Sequence, residues 1–169
     1  SILNRSLNIG NTAIEKRLVL APMAFLGNVA FRQLVQNYGG CGLLFTEMCS
    51  AKRIPNENRH RSTYFRWRDA ELSRLVCQIL GSDPMNMAAA ARRIEAEQFF
   101  GVDINFGCSV KKIVKSGAGA ALMGDLPKAR RLIAAVRDAV SIPLTIKIRS
   151  GWEASGDDAV DLARVAQDC

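Results

Sequence analysis

The sequence predicts an α/β fold with a parallel sheet, and two observations lead to this prediction. Five short runs dense in aliphatic residues alternate with segments in which apolar residues recur at helical spacing. Strands that are aliphatic on both sides are typical of parallel sheets, in which helices cover both faces. Consecutive β-α units connect parallel strands through right-handed crossovers, which give either an open doubly wound sheet or a barrel.

The five predicted strands are the aliphatic runs themselves. In chain order they are "RLVLAPM", "GLLFTEM", "RLVCQILG", "GVDIN" and "IPLTIKIR", at residues 17–23, 42–48, 74–81, 101–105 and 142–149. A long polar segment, "RIPNENRHRSTYFRWRD" (53–69), follows the second strand. Its arginines and aromatic residues allow an RNA-facing patch, because aromatic rings stack on bases. We favour the alternative, a barrel loop with a few buried rings.

Four helices are predicted from capping signals and apolar spacing. The first begins after Asn28 and ends at Gly39, and its predicted apolar face is Phe31, Leu34, Val35 and Tyr38. The second begins at Asp83 and Pro84 and runs to about residue 98. The third spans 125–140, with one apolar side formed by Leu132, Ile133, Val136 and Val140. The fourth lies in "DDAVDLARVAQD".

The residues at the strand ends favour a barrel over an open sheet. No GxGxxG follows the first strand, so the dinucleotide fingerprint of an open sheet is missing. Polar or reactive residues instead follow the strands, where barrel enzymes assemble their sites: Met23, Glu47, Gln78, Asn105, Cys108, Lys147 and Arg149. An eight-stranded TIM barrel takes about 250 residues. Residues 1–169 are therefore expected to form the N-terminal portion of a TIM barrel, with about five βα units.

Composition limits the classes of function. A hydrophobic content of 49% is enough for a packed core, and a net charge of +7 favours polyanionic partners such as nucleic acid. His60 is the only histidine, and the cysteines form no CxxC pair, so we expect no metal site. Five cysteines without an evident disulfide framework indicate a reducing cytoplasm. No signal peptide or apolar span of about 20 residues is expected, so no membrane association is predicted.

Several stretches at the strand ends resemble the tRNA-dihydrouridine synthase family, flavin-dependent barrel enzymes that reduce uridine in tRNA. The matching stretches, in the family's order, are "LAPMA", "AFRQLVQNYG", "FTEMCSA", "CQILGSDP", "DINFGCSVKKIVKSGAGAALM" and "TIKIRSGW". The resemblance implies an FMN cofactor, NADPH as electron source, tRNA as partner, and reduction of uridine to 5,6-dihydrouridine. It also implies that the later barrel strands and a helical tRNA-binding domain are absent from residues 1–169.

The resemblance identifies Cys108 as the catalytic residue. In the family, reduced FMN delivers a hydride to C6 of uracil, and the cysteine donates a proton to C5. A free thiol with a pKa of about 8.5 is mostly protonated at neutral pH and can act as this acid. The alternative is an inert core thiol, the commoner role of cysteine. Ser109 replaces the proline that usually follows this cysteine, which implies a looser loop.

Other residues acquire roles from the same resemblance. The cofactor-binding residues are expected to be Pro22, Met23, Ala24, Gln78 and Lys147. The substrate-binding residues are expected to be Asn105, Arg149, Lys111 and Lys112. Strand-end packing, a surface ion pair or a solvated basic loop are the structural alternatives for these positions. In "AFLGN" the family reads closer to "AGVTD", so Phe25 and Leu26 are expected to reshape the substrate mouth.

Two other functions remain open from the sequence. One is a non-catalytic or degenerate RNA-binding barrel fragment, because the second half of the barrel is absent. The other is a different FMN barrel oxidoreductase that acts on a small molecule, although the basic charge and the Cys108 stretch disfavour it. No feature of the sequence indicates the oligomeric state.

Overall fold

The computed structural model of the protein describes residues 2–169 and has a parallel sheet with helices on one side. Over this range the strands are β1 (Leu7–Ile9), β2 (Thr12–Ile14), β3 (Leu18–Leu20), β4 (Cys41–Phe45), β5 (Cys49–Ser50), β6 (Leu75–Leu80), β7 (Gly101–Asn105) and β8 (Leu144–Lys147). The helices are α1 (Val29–Tyr38), α2 (Pro84–Ala96), α3 (Lys111–Lys115), α4 (Leu126–Ala139) and α5 (Asp157–Asp168). No helix within residues 2–169 has both the length and the apolarity needed to cross a bilayer.

The sheet confirms the prediction of parallel βα units. Its order is β3-β4-β6-β7-β8, every neighbouring pair is parallel, and the two-residue β5 pairs with β6 beside this path. Five of the strands fall inside the five predicted runs or within one residue of them. The sheet is curled into a half-barrel, as expected for the N-terminal portion of a TIM barrel.

The two faces of the sheet have different partners because side chains alternate along each strand. On the outer face, Cys77, Ile79, Val102 and Ile104 pack against α2 and α4 in the main core. On the inner face, Leu43, Phe45 and Val76 form a smaller apolar cluster with Ile14. Further along the inner face, Gln78, Asp103 and Thr145 lie side by side in register. The inner face is thus apolar near the amino ends of the strands and polar near their carboxyl ends.

The N-terminal hairpin was not predicted. β1 and β2 are antiparallel, and Gly10 in the turn between them has a positive φ of 56°. Ile14 is buried against Leu43 and Val76, so the hairpin covers the inner face at the amino ends of the strands. The turn sequence Ile9-Gly10-Asn11 is a hairpin signal. The flanking strands are only three residues long, which is too short for them to be predicted from their sequence.

The predicted helix starts are confirmed by their caps. Asn28 Oδ1 accepts a hydrogen bond from the Phe31 N–H at 3.1 Å, and Asp83 Oδ1 accepts from the Asn86 N–H at 2.8 Å. Asp125 caps α4 in the same way, with 3.0 Å to the N–H of Lys128. These bonds satisfy backbone donors that the helix itself leaves unpaired. The local sequence therefore determined where these helices begin.

The apolar face predicted for α1 is wrong in part. Leu34 and Tyr38 are 52% and 85% exposed, whereas Arg32 is only 1% exposed. The Arg32 guanidinium forms a salt bridge with the buried Glu71 carboxylate at 2.6 Å. It also donates to the carbonyl oxygens of Gly27 and Arg66, at 2.6 and 2.9 Å. These contacts hold α1 with Arg32 turned towards the interior, an orientation that the apolar spacing does not predict.

The polar segment after β4 is a barrel loop with buried rings, as we favoured. Phe65 and Trp67 are buried, and both rings pack against Phe99 with centroid separations of 5.9 and 4.9 Å. Arg59 lies over the Trp67 ring at 4.8 Å from its centroid. These two rings belong to the core and cannot stack on bases, so the RNA-facing interpretation does not hold for them.

Gly42 provides a test of how tightly the hairpin region packs on β4. A Cβ atom at this position would collide with the backbone carbonyl oxygen of Lys16. We expect Gly42→Ala to lower the free energy of unfolding by about 1–3 kcal/mol, the usual cost of overpacking. Urea denaturation followed by circular dichroism measures this loss. Gly124→Ala is the matched control, since its nearest neighbour would be Trp152 Cδ1 at 3.9 Å, and an equal loss in both variants would contradict the prediction.

Candidate active site

The carboxyl ends of the strands bring together most of the residues singled out in the sequence. Pro22 to Ala24 follow β3, Gln78 lies in β6, Asn105 ends β7 and Lys147 ends β8. The register pairs Asn105 with Lys147, so these two side chains lie next to each other on the inner face. Cys108 lies three residues after the end of β7, at the same edge of the sheet.

Gln78 is fully buried and is hydrogen-bonded at both ends of its amide. Its Nε2 donates to Asp103 Oδ2 at 2.6 Å, and its Oε1 accepts from Asn105 Nδ2 at 2.9 Å. One N–H and one lone pair of the amide remain without a partner among these contacts. The expected contact of Gln78 with a cofactor stays a prediction.

Asp103 is a buried carboxyl group that was not among the site residues predicted from the sequence. It is 2% exposed, and it accepts hydrogen bonds from Gln78 and, at 2.7 Å, from Thr145 Oγ1. Burial raises the pKa of Asp103, whereas these two hydrogen bonds and the charge of Lys147 act in the opposite direction. The sequence signal that could have identified it is an acidic residue inside the aliphatic strand "GVDIN". A carboxyl group buried in such a strand requires hydrogen-bond partners.

The Cys108 loop is fixed at its backbone on both sides. Asn105 Oδ1 accepts hydrogen bonds from the N–H groups of Gly107 and Cys108, at 3.1 and 2.9 Å. The Cys108 carbonyl oxygen accepts from the Ala120 N–H at 2.9 Å. We use "the Asp103 relay" for the connected side chains of Asp103, Gln78 and Asn105. The relay links a buried carboxylate to the backbone that presents the Cys108 thiol.

The environment of Cys108 differs from that of the two fully buried cysteines. Cys49 and Cys77 lie in the core, and burial raises the pKa of the Cys77 thiol well above its ordinary value. Cys108 is partly exposed at the carboxyl ends of the strands. A thiol that exchanges protons with a substrate must be accessible, a condition that the buried Cys49 and Cys77 do not meet.

Two cationic side chains lie on the β8 side of the site. Lys147 is exposed, although its charge acts on the buried Asp103 carboxyl group. Arg149 is also exposed, and its Nη1 donates to the Gly107 carbonyl oxygen at 3.0 Å. The structure therefore places two positive charges beside the loop between β7 and Cys108, both on its β8 side.

The turn after β3 is held in an unusual conformation. Phe25 has a positive φ of 65°, which is uncommon for a bulky residue. Its N–H donates to the buried Glu47 carboxylate at 2.5 Å, which stabilises the turn. The Phe25 side chain is exposed, as is Ala24, while Pro22 and Met23 are partly buried. Phe25 therefore lies on the exposed surface of the turn that follows β3, and its expected effect on the substrate mouth stays a prediction.

The two candidate substrate lysines lie on a short helix beside Cys108. Lys111 and Lys112 begin α3, and both side chains are exposed. Lys115 ends the same helix and is exposed as well. Three ammonium groups on one five-residue helix give this edge of the site a basic surface.

Within residues 2–169, no group of three or more His, Cys, Asp or Glu side chains is arranged to bind a metal ion.

The chain is similar to proteins of one family over nearly its whole length. Residues 19–169 match the family model described as Dihydrouridine synthase (Dus). The chain is 37% identical over 166 residues to tRNA-dihydrouridine synthase B of Shewanella oneidensis, covering 96% of this chain and 50% of the relative. It is 32% identical over 161 residues to a probable tRNA-dihydrouridine synthase of Rickettsia conorii, covering 95% and 48%.

A solved structure, that of a variant of NCR from Zymomonas mobilis, shares the fold. It superposes with a TM-score of 0.53 and 14% identity, covering 99% of this chain and 66% of that one. The chain spans about half the length of the curated relatives it matches. With a family model that matches 19–169 and relatives above 30% identity, the chain belongs to the dihydrouridine synthase family.

Proposed function

We propose that the chain takes part in the reduction of uridine to 5,6-dihydrouridine in tRNA, with FMN as cofactor and NADPH as electron source. The observation that supports this most directly is the placement of Cys108. Cys108 is a partly exposed residue, and its backbone is hydrogen-bonded to Asn105 and Ala120 at the edge where the barrel strands end. Membership of the dihydrouridine synthase family supports the same reaction.

The donor set at the strand ends fits a flavin. The pyrimidine edge of the flavin ring carries carbonyl acceptors and an N–H donor. Lys147 offers an exposed ammonium group to these acceptors, whereas Gln78 is fully buried and supports the site from beneath through its hydrogen bond with Asn105. Positive charge beside this edge stabilises the reduced ring. Pro22, Met23 and Ala24 would contribute the surface of the turn after β3. When bound, the reduced flavin supplies the hydride that uracil accepts at C6.

The residues of the chain supply the remaining steps. Cys108 Sγ donates its proton to C5 of the uracil ring, and the resulting thiolate is reprotonated from solvent. Asn105, at the floor of the site, and Arg149, at its rim, orient the base. Together the hydride and the proton add two hydrogen atoms across the C5–C6 double bond.

The proposed substrate is a nucleotide in tRNA, and the surface charge supports this. Lys111, Lys112 and Lys115 lie where the phosphates beside an extruded uridine would pass, and a net charge of +7 adds to the attraction. The five free cysteines suit the reducing cytoplasm that we propose as the setting.

Nucleoside mass spectrometry tests the proposal. Unmodified tRNA is incubated with the full-length protein, FMN and NADPH, and the digested nucleosides are analysed. A gain of two mass units on uridine is expected. Bound, reducible flavin without any gain on tRNA would contradict the proposed substrate. Reduction of free small molecules in the same assay would favour the alternative barrel oxidoreductase.

Gly119 tests how closely the reaction depends on the position of Cys108. Gly119 has a φ of 60°, and a Cβ atom there would lie 2.6 Å from the Cys108 carbonyl oxygen. We expect Gly119→Ala to displace Cys108 and lower kcat for dihydrouridine formation by about 10- to 100-fold. Gly117→Ala is the control, because its φ is 71° but its Cβ would meet only Lys128 Nζ. Equal losses in both variants would assign the effect to backbone strain alone.

A further inference from the structure

The amide groups of the Asp103 relay can be oriented in only one way. The N–H groups of Gly107 and Cys108 can only donate, so they require the Asn105 oxygen. Asn105 must then direct its NH₂ group towards Gln78, and Gln78 accepts this hydrogen bond with Oε1. The Gln78 NH₂ therefore faces Asp103, and an ionised carboxylate can only accept. The backbone donors near Cys108 and the acceptor on Asp103 therefore require the same orientation of the two amide groups.

The relay is also enclosed. Gln78 is fully buried, Asp103 is 2% exposed and Asn105 is 6% exposed, so bulk water does not compete for these hydrogen bonds. Among the described contacts, Asp103 receives one further donor, the Thr145 hydroxyl, which can rotate. A loss of the acceptor at position 103 would leave the Gln78 NH₂ buried without a partner, and the disturbance would pass through Asn105 to the loop.

We propose that Asp103 is a positioning residue that holds the Cys108 loop in place through Gln78 and Asn105. Among the described residues, the hydrogen bonds of Asp103 go to Gln78 and Thr145 and not to Cys108, so Asp103 acts only through the two amides. The effect on turnover rests on the proposed function of Cys108, whereas the effect on the loop backbone does not. The two can therefore be measured separately.

Asp103→Leu removes the acceptor at nearly constant size and is the central variant. In the full-length protein, hydrogen exchange at the Gly107 and Cys108 amides is expected to become at least about tenfold faster. Exchange at Ile104, whose backbone lies inside the β7 pairing, is the internal reference. With the proposed reaction established, kcat should fall by about tenfold as well, with KM for tRNA nearly unchanged.

Two matched variants separate the hydrogen bond from charge and from packing. Asp103→Asn removes the charge but keeps an oxygen for Gln78, with its NH₂ turned towards the Thr145 hydroxyl. We expect it to retain slow exchange at both amides. Thr145→Val removes the other donor to Asp103 without touching Gln78, and slow exchange is expected there too. Fast exchange at the two amides in Asp103→Asn would show that the loop depends on the charge of Asp103 and not on its hydrogen bond with Gln78. That result would overturn the proposal.

Gln78→Met is a second variant that tests the relay even where Asp103→Leu does not fold. It cuts the relay between Asp103 and Asn105 while leaving the Thr145 bond to Asp103 intact. The same two amides are expected to exchange faster. Wild-type protection of Gly107 and Cys108 in Gln78→Met would overturn the proposal, even where Asp103→Leu does not fold. Altered exchange without dihydrouridine formation by the wild type would support the relay and reject the proposed reaction.

Discussion

Cys108→Ala is expected to bind flavin and tRNA as the wild type does, and to form dihydrouridine about 10²- to 10⁴-fold more slowly. Alanine has no proton to donate to C5, and general acid catalysis typically contributes a factor of this size. Binding should persist because Cys108 is a loop residue whose backbone contacts, to Asn105 and Ala120, do not involve the thiol. Single-turnover kinetics with tRNA and pre-reduced flavin measure the effect on the chemical step.

Cys41→Ala is the matched control for this variant. Cys41 is also partly buried, but it lies at the start of β4, at the opposite edge of the sheet from the candidate site. The control should lose little activity. If Cys108→Ala and Cys41→Ala turn over at the same rate, Cys108 is not the proton donor, and the proposed mechanism fails.

Arg32→Met is expected to have the largest effect on stability. The Arg32–Glu71 pair is buried, with side-chain exposures of 1% and 0%. Removing the guanidinium leaves a buried carboxylate without its main partner, which typically costs about 3–5 kcal/mol. The variant also loses the hydrogen bonds to the carbonyl oxygens of Gly27 and Arg66. Urea denaturation gives the free energy of unfolding.

Two further variants assign the cause of this loss. Arg164→Met breaks a surface pair with Asp161, whose side chains are 73% and 50% exposed, and should cost no more than about 1 kcal/mol. Adding Glu71→Gln to Arg32→Met removes the unpaired charge and keeps an acceptor for the Arg68 N–H, so part of the stability should return. Equal losses in Arg32→Met and Arg164→Met would show that the buried pair is not a main source of stability.

The predictable part of this fold is the part that local sequence determines. Aliphatic runs located the five barrel strands, and Asn28, Asp83 and Asp125 located three helix starts, since a cap needs only its own neighbours. The orientation of α1 was missed because the partner of Arg32 lies 39 residues away. Apolar spacing cannot reveal a pairing at that distance.

The site was predictable to a similar degree. Cys108 and Lys147 could be selected because a resemblance to a family marks them, and the structure places both at the carboxyl ends of the strands. Asp103 could not be selected, because its importance depends on register: Gln78, Asp103 and Thr145 face one another only when β6, β7 and β8 are aligned. Their roles in binding and catalysis remain predictions for the experiments above.

The order of the strands has a consequence for how the protein is made. Along the path β3-β4-β6-β7-β8, each strand pairs with the strand that precedes it in the path and in the chain. The covering hairpin, β1–β2, is earlier still. From β4 onward, each newly synthesised strand of this path therefore has a partner that is already made, whereas β3 and β5 pair with strands that follow them. The sheet can grow in the direction of translation, one βα unit at a time.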